Sequence, residues 1–300
     1  MQPQSQIFEN YISKQHTTYI DIEQNMTPEQ ILIDPHQISG ELRLKILGLY
    51  HQANAGHIGC SLSCIDLMLA VLLLNKTERD TFILSKGHAA AALYACLNET
   101  GEISDQDLET FYKEGTTLPA HPAPQQYKGI PFATGSLGHG LPIATGIAHA
   151  AKVSQEQTYS YVLVSDGETN EGTTWEAAHY AIQNKLDNLI MLIDRNGLQG
   201  FGSSEDVLGI TASVEKWKAI GFETIEIDGH HIQEINETIR ILKSRNNGLP
   251  KAIIANTIKG KGVSYMENKM EWHYLPMSKE QYEQATQEVK ERYFKNLTNA

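Results

Sequence analysis

Apolar residues recur along this chain in two rhythms. Residues 159–165 (YSYVLVS) form a β-branched and aromatic run with the character of a buried strand. Residues 189–194 form a second such run, and 80–84, 223–228 and 251–257 read as further short strands. Between them the spacing is helical. Residues 172–187 put Trp175, Ala178, Ile182 and Leu186 on one face. Residues 38–53 are amphipathic, and 65–74 (IDLMLAVLLL) are apolar nearly all round, as in a buried helix, with Ser61 or Ser63 placed to cap it. An alanine-rich helix follows His88 to about Leu97. Others are predicted over 104–112, 141–153, 213–220 and 231–245. Ser278-Lys279-Glu280-Gln281 is a capping box, and the helix after it carries an apolar stripe at Tyr282, Ala285, Val289 and Tyr293. Residues 115–142 and 258–277 read as glycine-containing loops.

Strands alternating with helices predict an α/β fold: one doubly wound domain over 38–300, with a parallel sheet and helices on both faces. Residues 1–37 are a polar arm, with a short helix expected near Thr27-Pro28. The strand–helix–strand unit over 159–194 carries the chemistry. In such sheets ligands gather at the carboxyl ends of the strands, where Asp166 and Asn196 both fall. A carboxylate and an amide oxygen are hard ligands suited to magnesium or calcium, and Gly167 lets a phosphate approach the backbone. The same residue types also cap ordinary turns at strand ends.

Composition narrows the classes. A net charge of -12 argues against a nucleic-acid binder, since phosphate backbones call for clustered Lys and Arg. Lys259-Gly260-Lys261-Gly262 is locally basic but lacks phosphate-loop spacing and reads as a structural loop. No run of 18 apolar residues is present, so no membrane span is expected. The opening MQPQSQIFEN has no basic and apolar leader, and three cysteines do not make a disulfide framework. Both point to a cytoplasmic protein. Cys60 and Cys64 have helix spacing for a metal, but no second cysteine pair completes a zinc site.

The order Asp166-Gly167, Glu171-Gly172, Trp175-Glu176-Ala177-Ala178, then Asn188-Leu189-Ile190 running into Asp194-Arg195-Asn196-Gly197-Leu198-Gln199 resembles the thiamine diphosphate motif of transketolases. Four loops resemble the family's histidine loops: Ala55-Gly56-His57-Ile58-Gly59, Ser85-Lys86-Gly87-His88, His121-Pro122 and Trp272-His273. Gly135-Ser136-Leu137-Gly138 resembles the loop beside the thiamine ring. The chain departs from the family pattern at Ser165, where Gly is usual, at Ala123, where Glu is usual, and at His139, often Gln, which is given no catalytic role.

The resemblance implies a thiamine diphosphate-binding fold and a ketol transfer between sugars or sugar phosphates. It implies magnesium, or calcium or manganese, on the side chains of Asp166 and Asn196 and the carbonyl of Leu198. The cofactor would meet His88, Gly135, Leu137, Asp166, Gly167, Glu168, Asn196 and His273. His121 would bind the donor's first hydroxyl, and His57 and His273 would move protons and stabilise oxyanions, chemistry for which imidazole is suited near neutral pH. His88 would contact the diphosphate and substrate side. Glu171 would join a carboxylate link between two active sites, or else simply favour a helix N-terminus. The carboxylate that serves the aminopyrimidine lies in a second domain in the family. The resemblance therefore implies a separate C-terminal subunit, an α2β2 assembly, and no activity alone. Residues 65–74 and the Glu171 region are the expected contact surfaces. The rival readings are part of a 1-deoxyxylulose-5-phosphate synthase, the α-chain of a 2-oxo-acid dehydrogenase, and a non-catalytic regulatory subunit.

Overall fold

Five short strands make one sheet in which every neighbour is parallel. They are β1 (Thr81–Leu84), β2 (Ser160–Ser165), β3 (Leu189–Arg195), β4 (Glu223–Asp228) and β5 (Lys251–Asn256), arranged β1-β2-β3-β5-β4. The computed structural model describes residues 34–124 and 126–294. The expected helix at Thr27-Pro28, and all but the end of the polar arm, lie outside them.

The helices are α1 (Pro35–Ala53), α2 (Ile58–Leu72), α3 (Ala90–Glu99), α4 (Asp105–Leu108), α5 (Gly140–Val153), α6 (Gly172–Gln183), α7 (Ser204–Leu208), α8 (Val214–Ile220), α9 (Ile232–Lys243) and α10 (Lys279–Phe294). None in the described residues is long and apolar enough to cross a membrane. Val162, Val164, Met191, Ile193, Ala252 and Ile254 point to one face of the sheet and form a core with α5, α6 and Trp217 of α8. Strand side chains alternate, so Tyr161, Leu163, Ile190, Leu192 and Ile253 point to the other face, where they too are buried. There α2 packs on β3 and α9 on β4. Cover on both sides explains why these strands are continuous apolar runs rather than alternating ones.

Helix α10 packs along α1, burying Ala285 and Val289 of its predicted stripe. Its capping box is complete: the Gln281 N–H donates to Ser278 Oγ at 3.2 Å, and the Ser278 N–H to Gln281 Oε1 at 2.9 Å.

Several sequence expectations need correction. Helix α2 starts at Ile58, so Ser61 and Ser63 lie inside it and cap nothing. Both are buried and bonded elsewhere, Ser61 to the Tyr50 hydroxyl at 2.8 Å and Ser63 to Asp194 at 2.6 Å. The apolar residues from Ile65 to Val71 are fully covered by the chain's own fold, so they offer no surface to a partner. Helix α6 stops at Gln183. Lys185 turns left-handed at φ 53°, and Leu186 enters the core from that turn, not from the helix. The helix expected over 104–112 is the single turn α4, capped by Ser104 and followed by Tyr112 at φ 61°.

Candidate functional site

The register pairs Ser165 with Asp194, so Asp166 and residues 196–198 leave the sheet side by side. Asp166 is buried. Its Oδ1 accepts the Gly167 N–H and its Oδ2 the Gly197 N–H, each at 2.7 Å. Burial, and then the neighbouring Asp194, raise its pKa above the ordinary carboxylate value. A buried carboxylate held by neutral donors and facing a second carboxylate is a place where a cation would be stabilised. Asn196 Oδ1 accepts the Leu198 N–H at 3.1 Å, and the Leu198 carbonyl accepts from Lys259 Nζ at 3.1 Å. Beside them the buried Nε2 of Gln199 has no hydrogen-bond partner among the described residues. A Cβ added to Gly167 would lie 3.0 Å from the Gln199 side chain, so any larger residue would press on that amide. Hard oxygens, an ammonium and an unspent amide donor together fit a divalent cation carrying a diphosphate.

The four loop histidines come together from four separate parts of the chain. The His57 ring lies 5.6 Å from His88, 5.9 Å from His121 and 5.1 Å from His273, and His88 lies 5.4 Å from His273. The backbone N–H of His57 also donates to the His273 carbonyl at 3.0 Å, joining the first and last loops. His57 sits in the left-handed region at φ 74°, an unusual conformation for a residue with a side chain. Burial, followed by the neighbouring imidazoles and Lys259, brings His57 down to about 4; burial and the two ammonium groups Lys259 and Lys86 do the same for His273. His88 also falls to about 4, chiefly by burial. His121, the most open of the four, is lowered by burial alone. All four are therefore neutral near neutral pH.

Glu168 ties the surrounding loops together. Its buried carboxylate accepts from the Ser85 hydroxyl, from the Gly138 N–H at 2.8 Å and from the Ser165 N–H at 3.4 Å. Expected at the cofactor, this carboxylate is spent on protein donors and clamps the loop bearing Gly135 and Leu137. Ser165, the departure from the family pattern, is used in the same clamp: its Oγ accepts the Glu168 N–H at 3.2 Å. Gly135 has φ 129°, and a Cβ there would come within 2.6 Å of the His121 ring, so this glycine lets the loop lie against the histidine. Glu171 is exposed at the start of α6 and makes no capping bond. His139 is exposed and reaches only the carbonyls of Ser136 and Leu137.

Three buried groups under the site go beyond the sequence expectations. Lys86 pairs with Asp194 and donates to the Cys60 carbonyl at 3.0 Å. Lys259, in a stretch that reads as a structural loop, reaches into the site and donates to His273 Nδ1 at 3.1 Å. Cys60 Sγ lies 3.5 Å from the same nitrogen. Burial raises its thiol, but His88, Lys259 and Lys86 outweigh that and bring it to about 6. For the two lysines the available signal is position: each follows a strand's carboxyl end within a glycine turn.

Comparison with known proteins gives the chain a family. The family described as "Transketolase, thiamine diphosphate binding domain" matches residues 36–294, and the chain belongs to that family. Within it, the chain is similar to one of the subunits of the apulose-4-phosphate transketolase of Phocaeicola vulgatus, at 40% identity over 83% of this chain and 92% of the relative. It is also similar to a 6-deoxy-6-sulfo-D-fructose transketolase subunit of a Clostridium species, at 36% identity over 81% of this chain and 96% of the relative. Among solved structures, transketolase from Leishmania mexicana superposes with a TM-score of 0.78 at 25% identity, covering 86% of this chain and 41% of that one. The chain thus spans less than half of that transketolase and nearly the whole of the two subunits.

Proposed function

We propose that this chain is the diphosphate-binding subunit of a split transketolase, which transfers a two-carbon ketol unit from a ketose donor to an aldose acceptor. The observation that carries the reading is the convergence of His57, His88, His121 and His273 next to the Asp166–Asn196 pole. The relatives' names favour transketolase over a deoxyxylulose-phosphate synthase or a regulatory subunit. Both name an anionic sugar, so anionic ketoses are the donor class to test first.

Asp166, the Asn196 amide oxygen and the Leu198 carbonyl hold a magnesium ion, and Gly167, Gln199, Lys259 and His88 receive the diphosphate. When bound, thiamine diphosphate supplies the carbon nucleophile and the electron sink for carbon–carbon cleavage. The protein's part is position and proton movement. His121, the most open imidazole, holds the donor's first hydroxyl at the entrance. His57, neutral because it is buried beside imidazoles and cations, takes a proton from a substrate hydroxyl and returns it, while His273, whose Nδ1 accepts from Lys259, offers its Nε2–H to developing oxyanions. The exposed carboxylate of Glu171 faces the neighbouring subunit. The site is completed by a C-terminal subunit in an α2β2 assembly, which supplies the carboxylate for the aminopyrimidine.

The test is Asp166→Ala in the enzyme reconstituted with its partner. Calorimetry should show magnesium-dependent thiamine diphosphate binding abolished with the fold intact; unchanged affinity sinks the metal assignment. Ketol transfer by the purified chain alone would remove the need for a partner.

A further inference from the structure

Asn196 offers a metal either its oxygen or its NH2 group, and only the oxygen can ligate. Two neighbours decide which one faces out. On one side the amide contacts Asp194 Oδ2 at 3.2 Å. An ionised carboxylate only accepts hydrogen bonds, so the amide atom facing it must be the nitrogen. On the other side the amide meets the Leu198 N–H at 3.1 Å, which can only donate, so the atom there must be the oxygen. The orientation follows from donor and acceptor chemistry alone.

Asp194 can set this orientation because it is itself fixed and fully buried. Its Oδ2 also accepts from Ser63 at 2.6 Å and from Lys86, and its Oδ1 accepts from Thr257. Lys86 is anchored in turn on the Cys60 carbonyl. These donors come from helix α2, from the loop after β1 and from the residue after β5, so three separate segments lock one carboxylate.

We propose that Asp194, held by Lys86, Ser63 and Thr257, is a positioning residue that turns the Asn196 amide so that its oxygen faces the cation. This rests on the reading of Asn196 as a metal ligand. Asp194 touches neither cofactor nor substrate; it acts through the amide. Changing groups that orient a ligand from behind typically costs about 10- to 100-fold in metal affinity.

The experiment titrates Mn2+ into the assembled enzyme in the presence of thiamine diphosphate and follows loss of the free-ion EPR signal, with thermal unfolding in parallel. Asn196→Ala should weaken Mn2+ binding about 10- to 100-fold. So should Asp194→Leu combined with Lys86→Met, which removes the acceptor facing the amide without stranding the ammonium. Adding Asn196→Asp to that pair should recover binding, because both terminal atoms of a carboxylate are oxygens and need no orienting. A purely structural Asp194 would give no such recovery. If Asn196→Ala weakens binding but the folded Asp194→Leu, Lys86→Met variant does not, the positioning role is overturned and the ligand reading stands. If Asn196→Ala leaves binding unchanged, the ligand reading fails and takes the positioning role with it. Should Asp194→Leu with Lys86→Met not fold, Ser63→Ala combined with Thr257→Val frees the carboxylate from two of its donors. Weaker Mn2+ binding is expected there, and unchanged binding overturns the proposal.

Discussion

Two ion pairs buried in this protein both touch helix α2. Arg43 of α1 grips Asp66 of α2 through both guanidinium nitrogens, while Ser39 and His230 also donate to that carboxylate. Lys86 grips Asp194, with Ser63 of α2 and Thr257 as further donors. Each is a shielded charge pair with its carboxylate fully bonded, and in each the partner cation holds the carboxyl below its ordinary value against the effect of burial. They differ in where the last hydrogen bond leads. Asp66 is surrounded by groups that join α1, α2 and the loop before α9. Asp194 has one bond left for Asn196, at the ligand pole. The same local chemistry therefore joins layers in one place and, on the role proposed for Asp194, orients a metal ligand in the other, and only the position relative to the strand ends separates the two.

The strongest way to break that comparison is to remove each cation. Lys86→Met and Arg43→Met each strand a buried carboxylate and should each destabilise the fold by about 3–5 kcal/mol in denaturant unfolding. Only Lys86→Met should also weaken Mn2+ binding in the variant that remains folded; equal loss in both would erase the distinction. His121→Ala should separate the regions from the other side. Its ring is exposed, so stability should hold while the donor KM rises and kcat/KM falls by about 10- to 100-fold, with cofactor affinity near wild type. Wild-type kinetics with every accepted donor would remove His121 from the site.

A graded effect is expected with pH. His57, His88 and His273 lie near 4 in the fold against an ordinary 6.5, so between those values the unfolded chain binds more protons. Stability of the cofactor-free protein should fall as pH drops through 6.5 toward 4, and His57→Asn with His273→Asn should flatten that slope in thermal melts. The Asp66 carboxyl stays ionised in the fold throughout this window, so it adds to the slope only at the acid end, where the unfolded carboxyl approaches its ordinary 3.8. The smallest effect belongs to the far side of α1. Ser278→Ala removes half of the α10 capping box and should cost about 1 kcal/mol with kcat unchanged.

The sheet and the ligand pole are legible in the sequence because they leave local marks. Continuous apolar runs give buried parallel strands, and Asp166 and Asn196 stand at strand ends whatever the rest of the chain does. The histidines are legible one loop at a time, by resemblance, but their meeting depends on contacts across the whole sheet. Lys86 and Asp194 stand within recognisable motifs, yet nothing local pairs residues 108 apart. Ser61 and Ser63 mislead for the same reason. A hydroxyl near a predicted helix start favours a cap when only neighbours are considered, and the buried partners that claim these two come from distant segments. Lys259 reads as part of a turn because of its flanking glycines, while the direction of its side chain is decided by Leu198 and His273.

The left-handed backbone at His57 carries a consequence for the engineering of this enzyme. Glycine would relax that position, and its substitution should make the loop easier to form while deleting an imidazole at the centre of the cluster. On the proton-transfer role proposed for His57, selection for heat resistance alone would thus be drawn toward a change that silences the protein. A library screened for stability here should be counter-screened for turnover at the same codon.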